Sequence, residues 1–161
     1  MKKVHSFQQS QNTARIGEDL IQRYLENKYE TVLDVTKTKK FQKVDVDYVA
    51  ITDSRVVHLY EVKTDTYTAR NGNIFLETWS NKEKQRKGWP FYTKCSHLVY
   101  VPLGLTEIYV FDGARILELV ELFREEGEVK QVWNTGYSSE GIVYPLQQIP
   151  SSFYETVQVE Q

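Results

Sequence analysis

Two runs rich in β-branched and aromatic residues, about 44 to 52 and about 55 to 64, flank the short polar link Thr52-Asp53-Ser54. Turn-forming residues between two such runs predict a β-hairpin. Charged residues interrupt both runs at alternate positions: Asp45 and Asp47 in the first, Glu61 and Lys63 in the second. Side chains two apart on a strand share a face, so Asp45 is expected beside Asp47 and Glu61 beside Lys63. Paired strands lie about 4.8 Å apart, close enough for acids on facing strands to share one cation. Apolar neighbours bracket these charges, and a buried acid is costly unless an ion, a lysine or a cleft offsets it.

The rest of the chain supplies a frame for that hairpin. Ile16, Leu20, Ile21, Tyr24 and Leu25 recur at helical spacing and predict a helix over about 12 to 28, with Asn12 or Thr13 as its cap. Strands are expected at about 31 to 36, 73 to 79, 98 to 101 and 108 to 111. Ser80 is placed to cap a short basic helix running to about Lys87 and stopped by Gly88 and Pro90. A last helix is expected over about 114 to 124, with Ile116, Leu117, Val120, Leu122 and Phe123 on its apolar face. Residues 129 to 161 carry weak periodicity and predict a strand or two plus a loose tail. The order predicts an α/β domain with a central sheet flanked by helices.

Length and composition fit this frame. A chain of 161 residues with 40% hydrophobic and 26% charged residues has the usage of one globular domain. No apolar run reaches the roughly 18 to 20 residues of a membrane span, and Met1-Lys2-Lys3 leads into a polar stretch, so a cytoplasmic protein without membrane contact is expected. The lone Cys95 excludes an internal disulfide and reads as a small residue at a strand entry. His5, His58 and His97 lack ligand spacing; no Gly-x-Ser-x-Gly elbow and no glycine-rich phosphate loop occurs. The net charge of −2 conceals two basic clusters, Lys37, Lys39, Lys40 and Lys43, then Lys82, Lys84, Arg86, Lys87 and Lys94. Such runs are solvated surface unless a site lies beside them.

An aspartate, a glutamate and a lysine on one hairpin suit phosphodiester hydrolysis. Carboxylates are hard ligands for Mg²⁺, which accepts one or two of them and keeps several waters. The ion polarises a phosphate and lowers the pKa of an attacking water, while a lysine stabilises the charge that develops. An acid-x-lysine triplet alone arises by chance about once per 150 residues. A surface salt bridge of Glu61 with Lys63 or Lys43 is the competing reading, contributing about 0 to 1 kcal/mol.

Gly17-Glu18-Asp19-Leu20 on the first helix, Asp47-Tyr48-Val49-Ala50, and Tyr60-Glu61-Val62-Lys63-Thr64 together resemble the PD-(D/E)XK nuclease superfamily, especially small members akin to Holliday junction resolvases and phage-type endonucleases. The resemblance covers roughly residues 12 to 111 and departs in lacking a proline before Asp47. It implies a restriction-endonuclease-like fold with an α-β-β-β-α-β core, a single nuclease-like domain over 1 to 161 with its core at about 12 to 126, and a C-terminal extension from 129. It further implies a Mg²⁺- or Mn²⁺-dependent DNA endonuclease. Glu18, Asp47, Glu61 and Lys63 are then catalytic, with Asp47, Glu61 and the Val62 carbonyl as metal ligands. Asp45 remains open as the ligand in place of Asp47. Lys37, Lys39, Lys40, Lys43, Arg70, Lys82, Lys84, Arg86 and Lys87 are expected to hold DNA, and Glu77 is expected beside the active strand or as a solvated edge acid. Trp79 and Trp89 fit the core or base stacking, and cutting both strands implies a homodimer. The alternative is a catalytically inactive nucleic-acid-binding or interaction protein on the same frame.

Overall fold

In the computed structural model, which describes residues 7–160, a six-stranded mixed sheet is covered on one face by a long helix and on the other by a second sheet and a shorter helix. His5 lies outside the described residues. Helix α1 (Phe7–Lys28) starts earlier than expected, so Asn12 and Thr13 sit inside it. Leu20, Ile21 and Leu25 bury its inner stripe, whereas Ile16 is 56% exposed. Strands β1 (Thr31–Asp34), β2 (Tyr48–Ile51) and β3 (Val57–Asp65) pair in antiparallel order, the last two as the expected hairpin. β3 then pairs in parallel with β6 (His97–Pro102), and β7 (Glu107–Asp112) and β10 (Tyr154–Gln158) complete the sheet. No helix among the described residues is long and apolar enough to cross a membrane.

Alternation along the strands sorts the two cores. Tyr48, Ala50, Tyr60, Val62, Val99 and Val101 face α1 with Leu20, Ile21 and Leu25. Val49, Leu98, Tyr100 and Phe111 face the other way, against α4 (Ile116–Glu126) and a second sheet whose strands run, in order, β5 (Arg86–Lys87), β4 (Asn73–Asn81), β9 (Tyr137–Pro145) and β8 (Glu128–Asn134). Ile116, Leu119, Val120 and Phe123 of α4 are buried there, while Leu117 is 57% exposed.

Several expectations change. The strand predicted from residue 44 begins at Tyr48, after a four-residue helix α2 (Lys39–Gln42). The Phe41 carbonyl accepts from the Val44 and Val46 N–H groups, and Asp45 takes a left-handed φ of 51° that aspartate tolerates. Asp45 and Asp47 therefore do not share a strand face.

The basic helix predicted after Ser80 is absent. Ile74, Leu76 and Thr78 bury at a period of two, and β4 (Asn73–Asn81) continues through Ser80. Asn81 Oδ1 accepts from the Lys84 N–H, Gln85 adopts φ 52°, and the chain doubles back as β5 (Arg86–Lys87). Ser80 Oγ donates to the Arg86 and Lys87 carbonyls instead of capping a helix. The crossover from β3 to β6 thus consists of a short helix α3 (Thr68–Asn71), the β4–β5 pair and a 3-10 turn at Trp89–Phe91. The α-β-β-β-α-β order holds in outline only, since its crossover helix shrinks to the single turn of α3 and the longer α4 follows β7.

The C-terminal extension carries three strands where one or two and a loose tail were expected. β8 (Glu128–Asn134) and β9 (Tyr137–Pro145) form a hairpin around Gly136 at φ 85°, and β9 lies between β4 and β8. β10 returns to the edge of the main sheet.

Candidate active site

β2 and β3 bring the acids together at the start of the hairpin's first strand. The Asp47 N–H donates to the Tyr60 carbonyl at 2.8 Å, extending the β2–β3 ladder by one residue and setting Asp47 beside Glu61. Asp47 Oδ2 accepts from the Val62 N–H at 2.9 Å, which fixes the carboxylate against β3. Glu61 is only 3% exposed. Its Oε1 accepts from Lys63 Nζ; its buried Oε2 meets no N–H or O–H donor, and the carboxyl lies within hydrogen-bond reach of that of Asp47. Lys63 Nζ also donates to Asp45 Oδ2 at 3.0 Å and lies 5.2 Å from the centre of the Trp89 ring. Asp45 therefore anchors the lysine from the loop before β2, and Asp47 is the aspartate set against Glu61.

Burial dominates the electrostatics. It pushes the Glu61 carboxyl well above the usual carboxylate range against the pull of Lys63, and Asp47 and Asp45 push it further. Burial also raises Asp47, with the Val62 N–H and Lys63 working against it. Desolvation disfavours the Lys63 ammonium, but Glu61 and Asp45 outweigh it and keep the group charged. Glu18 sits on α1 within reach of the Asp47 charge; burial first, then Asp47 and Asp34, raise its carboxyl. The approach of α1 depends on Gly17, where a Cβ would lie 1.9 Å from Thr64 Oγ1 on β3, and on Tyr48, whose hydroxyl donates to the Glu18 carbonyl at 3.0 Å.

The neighbouring second sheet contributes Glu77. A register irregularity between Glu77 and Trp79 interrupts the pairing of β4 with β9, and a second between Trp79 and Asn81 interrupts its pairing with β5, a device that re-aims side chains. Gly88 lets the backbone close there, since a Cβ would come within 2.0 Å of the Glu77 carbonyl oxygen. Burial pushes the Glu77 carboxyl up to about 7, opposed by Lys63. Glu77 lines a small cavity of about 220 Å³ together with Lys63, Thr64, Phe75 and Trp89, and lines a larger one of about 770 Å³ that opens past Arg70 and Lys130.

The other predicted residues are placed as follows. Of the basic residues expected to hold DNA, Arg70 lines the larger cavity, Lys82 pairs with Glu140 at 2.5 Å and Lys87 lies over Phe91. Lys37, Lys39, Lys40, Lys43, Lys84 and Arg86 are exposed and line neither cavity. Trp89 is core, packed under Lys63, and Trp79 is half-buried. His58 and His97 bond to one another at 3.0 Å and stack with Tyr29 and Tyr60 on the side of β3 away from Glu61. Cys95 is buried, which pushes its thiol up to about 11. Sequence reasoning missed Thr64 and the roles of Trp89 and Gly17; Gly17 had a signal, a glycine inside a helical pattern next to Glu18.

Whether this donor set suits a divalent ion turns on Glu61 and Asp47. Two adjacent hard carboxylates, one with an oxygen lacking any donor, fit a Mg²⁺-type ion that retains most of its waters. No group of three or more His, Cys, Asp or Glu side chains is set around one ion position among the described residues. No family model, curated protein or solved structure matches this chain. The resemblance to the PD-(D/E)XK superfamily therefore rests on Glu18, Asp47, Glu61 and Lys63 and on their order along the chain.

Proposed function

We propose that the protein is a metal-dependent phosphodiesterase acting on DNA, with Asp47 and Glu61 holding Mg²⁺ or Mn²⁺, Lys63 assisting and Glu18 contributing from α1. The observation that carries this reading is the buried Glu61 Oε2, which meets no N–H or O–H donor and whose carboxyl abuts that of Asp47 beside Lys63. Leaving such an oxygen without a donor costs about 1 to 3 kcal/mol, more if charged, unless a proton or cation supplies the missing partner.

A divalent ion held by this pair supplies Lewis-acid polarisation of a phosphoryl oxygen and a bound water of lowered pKa. The chain's own residues supply orientation. The Val62 N–H locks Asp47, and the Val62 side chain points into the core beneath α1. Asp45 and Trp89 hold the Lys63 ammonium at the cavity wall, where it can neutralise charge developing on a phosphate. Glu61 and Trp89, both nearly buried, exclude bulk water and so strengthen each charge interaction.

The test is cleavage of single-stranded, duplex and branched DNA in Mg²⁺ and Mn²⁺ by the wild type, Glu61→Gln and Lys63→Met. Each variant is expected to lose at least about 100-fold in rate while remaining folded by circular dichroism. A Lys63→Met protein that cleaves at the wild-type rate removes the assignment.

A further inference from the structure

The two cavities form one path, because Thr64, Asp65, Phe75 and Glu77 line both. Its inner end reaches Lys63 and Trp89; its outer part runs along the face of β4, β9 and β8. We propose, resting on the nuclease reading, that this path is the substrate-binding groove and takes a single strand of DNA, so that the substrate is single-stranded or presents an unpaired end.

Size is the first argument. The outer cavity of about 770 Å³ falls in the ~300–1,000 Å³ range that encloses a small organic ligand, the scale of one or two nucleotides. The inner cavity of about 220 Å³ leaves room for the backbone of one strand beside Lys63. The candidate ligand Glu61 is 3% exposed, and the second sheet packs over the same face of β3. A paired strand, held across grooves about 6 to 12 Å wide, runs into that second sheet before a phosphate reaches Lys63.

The lining is the second argument. Arg70 on α3 and Lys130 on β8 stand on the outer part of the path as phosphate partners. Lys130 is paired with Glu128, but both side chains are about half or more exposed, so the pair exchanges readily for a phosphate. Phe75 on the wall offers aromatic surface of the kind that stacks on unpaired bases, and Asn73 and Asn134 offer amides for base edges.

Binding measured by fluorescence anisotropy in EDTA, with labelled oligothymidylate against a blunt duplex of equal length, tests this separately from cleavage. The single strand is expected to bind about tenfold more tightly. Arg70→Glu and Lys130→Glu are each expected to weaken it about fivefold and to flatten its salt dependence, while Arg23→Glu on the outer surface of α1 leaves it unchanged. Equal or tighter binding of the duplex, or wild-type affinity in both groove variants, overturns the proposal. Cleavage of duplex DNA that ignores Arg70 and Lys130 refutes the groove and leaves the nuclease standing. Groove-dependent binding of the single strand without cleavage in either ion supports the groove and refutes the nuclease.

Discussion

Replacing Glu77 with glutamine isolates the cost of holding a carboxylate between the two sheets. Burial raises that carboxyl from 4.5 to about 7, with Lys63 pulling it down and Asp45 pushing it up. A raised folded-state value means that, between pH 4.5 and about 7, the folded protein keeps a proton that the unfolded chain releases. Stability from this group is therefore complete below 4.5, falls as pH rises through that interval, and is flat above it. The full displacement corresponds to about 3 kcal/mol. Glu77 keeps partial solvent contact, and screening reduces the expected effect to about 1.5 to 3 kcal/mol.

Glutamine has the same shape and no titration, so Glu77→Gln escapes the loss. Urea unfolding of both proteins near pH 5 and near pH 8 reads this directly, because every other titrating group cancels in the difference. The variant is expected to match the wild type within about 0.5 kcal/mol near pH 5 and to exceed it by about 1.5 to 3 kcal/mol near pH 8. A difference that does not change with pH, or a wild type that gains on the variant as pH rises, refutes the argument that Glu77 is held against desolvation.

Lys63→Met removes the ammonium shared by Glu61 and Asp45 and is expected to cost about 2 to 4 kcal/mol when Glu61 is ionised, and less as the pH falls and Glu61 takes up a proton. Adding Glu61→Gln to it should recover part of that loss, and a double variant no more stable than Lys63→Met would show that the pair is not the cause. Gly17→Ala drives a methyl into Thr64 Oγ1 and is expected to lower stability by about 1 to 3 kcal/mol in chemical denaturation. Thr64→Ala in the same chain removes the struck oxygen and should restore about half; an unaffected single variant would mean that α1 can shift away from β3.

The β2–β3 hairpin was readable because its signals are local: two apolar runs, a polar link and a period of two. The same reasoning put Asp47, Glu61 and Lys63 on the hairpin, whereas Glu18 and the choice of Asp47 over Asp45 came from the resemblance. It failed where a tertiary partner decides conformation. Ser80 is a good helix cap by propensity, but the period-two burial of Ile74, Leu76 and Thr78 against β9 keeps it in a strand. The extent of β9 is hidden because Gly141 and two serines dilute its pattern. Yet Gly141 is required: a Cβ there would come within 2.4 Å of the Phe75 ring. Asp45 defeated the alternation rule because a left-handed residue breaks strand periodicity without any mark in the residue type beyond aspartate's tolerance for it.

The second sheet changes what the hairpin's charges mean. On an open hairpin, Asp45, Asp47, Glu61 and Lys63 would form a solvated cluster in which water balances the excess of acid. Covering that face with β4, Trp89 and the β9 strand removes the water, and Lys63 answers only two of the three acids directly. Asp47 is held by a backbone N–H, which orients it without neutralising it. The remaining imbalance between Asp47 and Glu61 must be met by a proton or by a cation, since an unneutralised pair in a dry site is too costly to persist. A proton suffices for a structural carboxyl pair; a divalent ion makes the same pair reactive. Neither Asp47 nor Glu61 lines the cavities beside Lys63, so direct titration with Mn²⁺, not cavity shape, decides between the two outcomes.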